Sequence, residues 1–260
     1  MKLGIMQPYF FPYLGHFALI AAVDQWVVFD ITQYTPRSWL NRNRVLHPHC
    51  SWQYISIPLA KSSINIKISE AEIANPRHQE QYVLGKISHY KRRAPYYTQV
   101  CEIVRSAFAD ATDDNLVSLN VSGLRAVCQY LGLPFCYRIC SQLAIDYPDG
   151  VSAGEWAPWI SGQLFADVYV NPIAGRELFD PAVFDKIGVD LQFLEFAPFI
   201  YDTPGYDFEK NLSILDVLMW NSPGTILQAI RENSSMISAS ESGAGGLATT
   251  HTPVRELAAA

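Results

Sequence analysis

Residues 1–31 restrict the fold more than any other stretch of this chain. LGIMQ (3–7) is a short apolar run, PYFFPY a turn held by two prolines, LGHFALIAAV a helical repeat of apolar positions, and QWVVFDI (25–31) a run rich in strand formers. Strand, turn, helix and strand within about 30 residues make a βαβ unit, and strands joined by such a crossover run parallel. The alternation resumes further on. FCYRI (135–139), DVYVN (167–171) and DLQFLEF (190–196) read as strands separated by the helical segments GEWAPWISGQLFA and PAVFDKIG, and LSILDVLMWN and TILQAIRE follow as helices. Five core strands are therefore expected, at 3–7, 26–31, 135–139, 167–171 and 190–196. The fold class expected is α/β, a mainly parallel Rossmann-like sheet flanked by helices, with an antiparallel and helical insertion.

That insertion is placed at about residues 50–132. Before it, the Arg-rich TQYTPRSWLNRNRVLHPH reads as a polar loop. QYISIPL and INIKIS then read as two strands of an antiparallel excursion. PRHQEQYVLGKISHY, APYYTQVCEIVRSAFAD and DNLVSLNVSGLRAVCQYLGL carry helical spacing with Pro, Asp or Asn at their starts and Gly132 closing the last. With 49% hydrophobic and 17% charged residues, one α/β domain over 1–232 has material for a sizeable core. From Asn233 the sequence turns small and polar, and 233–260 is expected to be a disordered tail.

Five cysteines without a CxxC pair encode neither a disulfide framework nor a zinc site, which fits a reducing cytoplasm. The uncharged stretch from Leu3 to Val23 copies the outline of a signal peptide, but Gln7, Pro8, Pro12 and His16 break it, and no segment is continuous enough for membrane insertion. The charge is unevenly spread. Residues 1–101 hold 11 Lys/Arg against 5 Asp/Glu, and residues 102–260 hold 8 against 20. The basic half points to an anionic partner, and a pI near 5.5 argues for a small phosphorylated ligand over a nucleic acid.

In open parallel sheets, ligands bind beyond the carboxyl ends of the strands, next to the first strand. Here that point is QPYFFPYLGHFALI, where Gly15 permits close backbone approach and His16 lies in the first helical turn. This layout resembles the strand–turn–helix of the nucleotidyltransferase and class I synthetase superfamily, whose His-x-Gly-His signature binds ATP phosphates. The matching tetrapeptide is Tyr13-Leu14-Gly15-His16, with Tyr13 in place of the first His. The resemblance implies ATP as cofactor, with Mg²⁺ only if ATP is used; the residues themselves leave the cofactor unknown.

A closer resemblance covers residues from about Met6 to Asn221. MQPYFFPYLGHFALI, FDITQY, WLNRNRV, HYKRRAPYY, YVNPIAGRELFD, FDKIGVDLQFLEF and NLSILDVLMWN are similar, in order and spacing, to successive blocks of the WbqC-like family. It implies a role in surface-polysaccharide or modified-sugar biosynthesis, with an amide formed between an activated amino acid or other carboxylate and a nucleotide-linked amino sugar. A nucleotidyltransferase and a non-catalytic sugar-nucleotide-binding protein stand as alternatives.

Several polar groups are candidates for carrying that chemistry. Arg42 and Arg44, with Asn41 and Asn43 interleaved and Arg37 upstream, offer forked donors to phosphate or carboxylate; otherwise they form a solvated loop paired with the acidic half. Asp30 at a strand end would hold a sugar hydroxyl or act as a base, or else cap the loop, and Tyr34 follows it. The catalytic set is thus His16, Asp30, Arg42 and Arg44. The binding set is Gln7, Tyr13, Gly15, Tyr34, Arg37, Asn41, Asn43, Lys91, Asn171 and Arg176. Lys91 opens a basic run that also suits a helix end, and Arg176 suits a structural ion pair. Asp216, inside an apolar helix, needs a buried partner and reads as an anchor. His47-Pro48-His49-Cys50 makes a poor chelate, so no metal site is expected.

Overall fold

The computed structural model describes residues 1–60, 65–148 and 150–239. The first strand, β1 (Lys2–Met6), leads through α1 (Leu14–Ala21) to β2 (Gln25–Val28), and the two strands pair in parallel from Leu3 opposite Gln25 to Met6 opposite Val28. The chain then leaves the sheet for a hairpin, β3 (Arg42–Leu46) with β4 (Trp52–Ser56), and for three helices, α2 (Pro76–Ile87), α3 (Tyr97–Asp110) and α4 (Leu116–Leu131). It returns in β5 (Tyr137–Ile139), crosses α5 (Trp156–Gln163) to β6 (Val168–Pro172), and crosses α6 (Pro181–Asp185) to β7 (Asp190–Phe196). Two helices, α7 (Ile214–Trp220) and α8 (Pro223–Asn233), precede the last strand, β8 (Ser234–Ser238). The main sheet runs β5-β2-β1-β6-β7-β8, parallel throughout except for β8.

Side-chain alternation along the strands supplies two cores. Leu3 and Ile5 of β1, Val27 of β2, Tyr169 of β6, and Leu191 and Phe193 of β7 face one layer, with Ala157 and Ile160 of α5 and Phe184 of α6. Trp26, Val28, Val170 and Leu194 face the other, where α1, the three insertion helices, α7 and α8 supply the apolar partners. Both sheet faces are covered, as parallel strands require. Among the described residues no helix is long and apolar enough to cross a membrane.

All five expected core strands are present, and three segments differ from the reading of the sequence. The stretch taken as a polar loop contains β3, which is the antiparallel partner of β4. Its alternation was hidden because the inward positions of RNRVL begin with an asparagine: Asn43 is buried together with Val45. Of INIKIS, Ile64 lies outside the described residues, and the remainder makes a single bridge from Lys67 to Gln33 and a 3₁₀ turn at Ile68–Glu70. The expected tail begins with β8, which pairs along β7 from Phe196 opposite Ser234 to Gln192 opposite Ser238. Residues 240–260 lie outside the described residues.

Candidate functional site

Strand order locates the site. From β1 the chain proceeds to β2 on one side, while β6 and β7 extend the sheet on the other, so the crevice beyond the carboxyl ends of β1 and β6 is the topological switch point. A pocket of about 210 Å³ lies there. Phe29, Trp156, Leu178 and Phe179 make apolar walls, and Gln7, Tyr9, Thr32 and Asn171 bring polar groups to them. Among the described residues no charged side chain lines it.

The polar groups are placed by their backbones and only partly used. Gln7, one residue past β1, is 6% exposed and its amide carries no hydrogen bond among the described residues. Thr32 Oγ1 is buried without a partner. Asn171 accepts a bond from the Tyr169 hydroxyl (2.9 Å) and donates one to the Pro172 carbonyl (2.9 Å), leaving one N–H and one lone pair for a ligand. Gly175 leaves room for it, since a Cβ at that position would push the Asn171 amide nitrogen aside.

The turn between β1 and α1 is held from three directions. Asn120 of α4 donates to the Pro8 carbonyl (2.6 Å), Asn43 of β3 to those of Phe10 (3.0 Å) and Phe11 (2.9 Å), and Ser213 to that of Phe11 (2.7 Å). The Ile214 N–H reaches the Pro12 carbonyl (2.8 Å), and the Phe10 N–H reaches Trp39 (2.8 Å). Phe11 sits at φ +40°, in the left-handed region that a bulky side chain avoids unless its surroundings impose it. Asn43 is therefore a bracket for this turn.

At the N-terminus of α1 the Tyr13 ring lies across Gly15, filling the space a Cβ would need. His16 is 3% exposed, with its ring centroid 4.9 Å from that of Trp26 and 5.7 Å from that of Tyr9, and its Nε2 has no partner. Burial pushes the imidazole down to about 3, so it is neutral at physiological pH. Burial, with Tyr13 adding to it, pushes the Tyr9 hydroxyl up to about 12. A covered glycine and an uncharged, enclosed histidine do not fit an ATP phosphate site.

Asp30 follows β2 and is 1% exposed, with both carboxylate oxygens taken by Ser141, from its N–H (2.8 Å) and its hydroxyl (2.5 Å). Burial raises its pKa and the Ser141 bonds counter it. It fastens the end of β2 to the segment after β5. Asp216 of α7 has the partners a buried carboxylate needs: the Tyr90 hydroxyl on one oxygen and the Tyr201 hydroxyl (2.7 Å) on the other.

The arginines lie on the hairpin. Arg42 Cζ is 4.2 Å from the Tyr54 ring centroid, while Arg44 Cζ is 5.1 Å from that of Trp52 and 5.5 Å from that of Trp39. Neither pairs with a carboxylate: among the described residues the ion pairs join the N-terminal amine to Asp167 and Arg125 to Asp110. Asn41 donates to the Ile57 carbonyl (2.9 Å), and buried Tyr34 neighbours Arg42. Arg37 is exposed at φ +56°, Lys91 is exposed in a 3₁₀ turn, and Arg176 lies over Phe193 at 6.0 Å. Of the sequence candidates, the cleft itself unites Gln7 and Asn171. Tyr9, Phe29, Thr32 and Trp156 also line it; the sequence signals Tyr9 through the QPYFFPY turn and Phe29 and Thr32 through FDITQY, and gives no sign of Trp156.

The sequence model of the WbqC-like protein family matches residues 7–227, a span that contains the turn, the hairpin and every strand of the main sheet from β2 to β7. An uncharacterized protein of Mycobacterium tuberculosis (strain ATCC 25618 / H37Rv), Rv1507c, is 28% identical over 219 residues, covering 84% of this chain and 92% of that protein. No solved structure matches the chain. With most of its length matched, including both Gln7 and Asn171 of the cleft, the chain belongs to the WbqC-like protein family.

Proposed function

We propose that this chain is a transferase of surface-polysaccharide or modified-sugar biosynthesis. It joins an activated amino acid or other carboxylate to the amine of a nucleotide-linked amino sugar. The observation that carries this reading is the lining of the cleft between β1 and β6: aromatic walls with amide and hydroxyl groups and, among the described residues, no charged side chain. Aromatic rings suit the C–H faces of a sugar, and Gln7, Asn171 and Thr32 suit its hydroxyls. An apolar site also disfavours an ammonium ion and keeps the amine in its nucleophilic, neutral form. The amine nitrogen then bonds to the acyl carbon, the bond from that carbon to its leaving group breaks, and the amine proton departs to the leaving group or solvent. Because the N-terminus of α1 does not fit ATP phosphates, the acyl donor arrives already activated.

Mass spectrometry tests this after incubation of the protein with amino-sugar nucleotides and acyl thioesters. The product gains the mass of the carboxylic acid less water, and Gln7→Ala and Asn171→Ala each lower the rate at least about tenfold, the loss expected when a hydrogen bond to bound substrate is removed. A gain of a nucleotide instead would identify a nucleotidyltransferase. Ligand-induced stabilisation without any product would identify a binding protein.

A further inference from the structure

We infer that Arg42 and Arg44, stacked on the aromatic face of the β3–β4 hairpin, form a diphosphate-binding site outside the cleft. Side chains two apart on a strand share one face about 6.5–7 Å apart, and Asn43 between them points the other way, into the core. Tyr54 lies directly opposite Arg44 in the hairpin register, and Trp52 is two residues before it. Stacking on Tyr54, Trp52 and Trp39 occupies the flat faces of the guanidinium groups and leaves their in-plane N–H edges for a ligand. Those edges are poorly satisfied: Arg44 Nε is buried without a partner, and its Nη2 makes one long contact, 3.5 Å, to the Asn211 carbonyl.

Two oriented, uncompensated cations on one face call for two adjacent anionic groups. A lone phosphate is too compact to engage both forks, whereas the linked phosphates of a nucleoside diphosphate can take one each. Lys91 and Arg92 lack this preparation, being exposed and unstacked. The inference rests on the reading above in one respect, that the diphosphate belongs to a nucleotide-linked sugar. Cleft and hairpin flank one turn, since Tyr9 lines the cleft and the Phe10 N–H bonds to Trp39 beside Arg44.

Isothermal titration of the full chain with inorganic pyrophosphate, UDP and inorganic phosphate, at low salt and without acyl donor, tests the site. Pyrophosphate and UDP are expected to bind at least about tenfold more tightly than phosphate. Arg42→Lys and Arg44→Lys, which keep the charge and lose the fork and the stack, should each weaken pyrophosphate about tenfold or more at unchanged thermal midpoint. Arg77→Lys, on the exposed face of α2, should leave it unaltered. Arg42, at the start of β3, carries the test if the Arg44 variant does not fold. Wild-type affinity in the folded lysine variants, equal binding of phosphate and pyrophosphate, or no binding of pyrophosphate and UDP would overturn the site. If the lysine variants bind pyrophosphate as the wild type does and acyl transfer is present, only this inference fails. If arginine-dependent pyrophosphate binding is present and no amino-sugar nucleotide is acylated, only the functional reading fails.

Discussion

Packing among Tyr9, Phe17 and Trp26 gives His16 a direction of pH dependence opposite to that of the buried carboxylate Asp216. His16 stays neutral in the fold down to about 3, whereas in the unfolded chain it takes up a proton below its ordinary value of 6.5. The unfolded state therefore binds more protons between those limits, and stability falls as pH drops through that window by at most about 1.4 kcal/mol per unit. Urea denaturation of wild type and His16→Phe across pH 7 to 4 checks this. The wild type should lose stability relative to the variant steadily on acidification, and a constant difference would mean that His16 titrates normally. Asp30 poses the complementary test. Ser141→Ala removes the hydroxyl donor from a buried carboxylate, at an expected cost of about 1–3 kcal/mol by chemical denaturation. In the sequence the histidine was visible and its state was not. Tyr9 and Trp26, which enclose it, lie in a turn and a neighbouring strand, and only the fold closes them around the imidazole.

The hairpin depends on elements distant from it. The Leu46 N–H of β3 donates to the Tyr90 hydroxyl (2.8 Å), which donates in turn to Asp216 of α7, and Tyr201 supplies the other carboxylate oxygen. Tyr90→Phe breaks both ends of that relay, and Tyr201→Phe only one. The first should therefore cost more, about 2–3 kcal/mol against about 1, in paired denaturation curves. Burial pushes Asp216 up to about 6 despite these donors. Its protonated form is thus favoured by folding, and the stability it contributes is complete below the ordinary carboxylate range and lost as pH rises through 6. Relative to Asp216→Asn, wild type should be most stable near pH 4 and decline toward pH 6.5, as followed by urea midpoints at each pH. A wild-type advantage that grew with pH would show the carboxylate to be ionised in the fold. The sequence disclosed Asp216 as a carboxylate in need of partners, because its apolar neighbours at helical spacing place it in the core. It concealed β3, because Asn43 is a turn residue by propensity and is buried here only through its bonds to Phe10 and Phe11.

At the scale of the whole molecule, what was legible is what periodicity encodes. Apolar runs marked the five parallel strands, and the βαβ start pointed to the end of the sheet where the cleft lies. The cleft was legible only in part, since Gln7, Thr32, Trp156 and Asn171 come from four separate segments whose meeting depends on strand order. The edge was not legible at all. Ser234–Ser238 carries little apolar signal of its own and is a strand because β7 offers it a ladder, with Ile237 and Ala239 packed against the second core. A strand held by pairing should be separable from its sheet with a measurable loss. A chain ending at Asn233 keeps α8 complete but strips the outer edge of β7, exposing Phe193 and Leu194 beside unpaired backbone groups. Against a chain ending at Ala239, it should lose about 2–4 kcal/mol in denaturant, from buried apolar area and lost ladder bonds. An uncovered parallel edge is also a template for another copy, so the shorter chain should self-associate in light scattering at concentrations where the longer one does not. Equal stability and equal mass for the two chains would mean that β8 contributes nothing to the sheet and that β7 is its true edge.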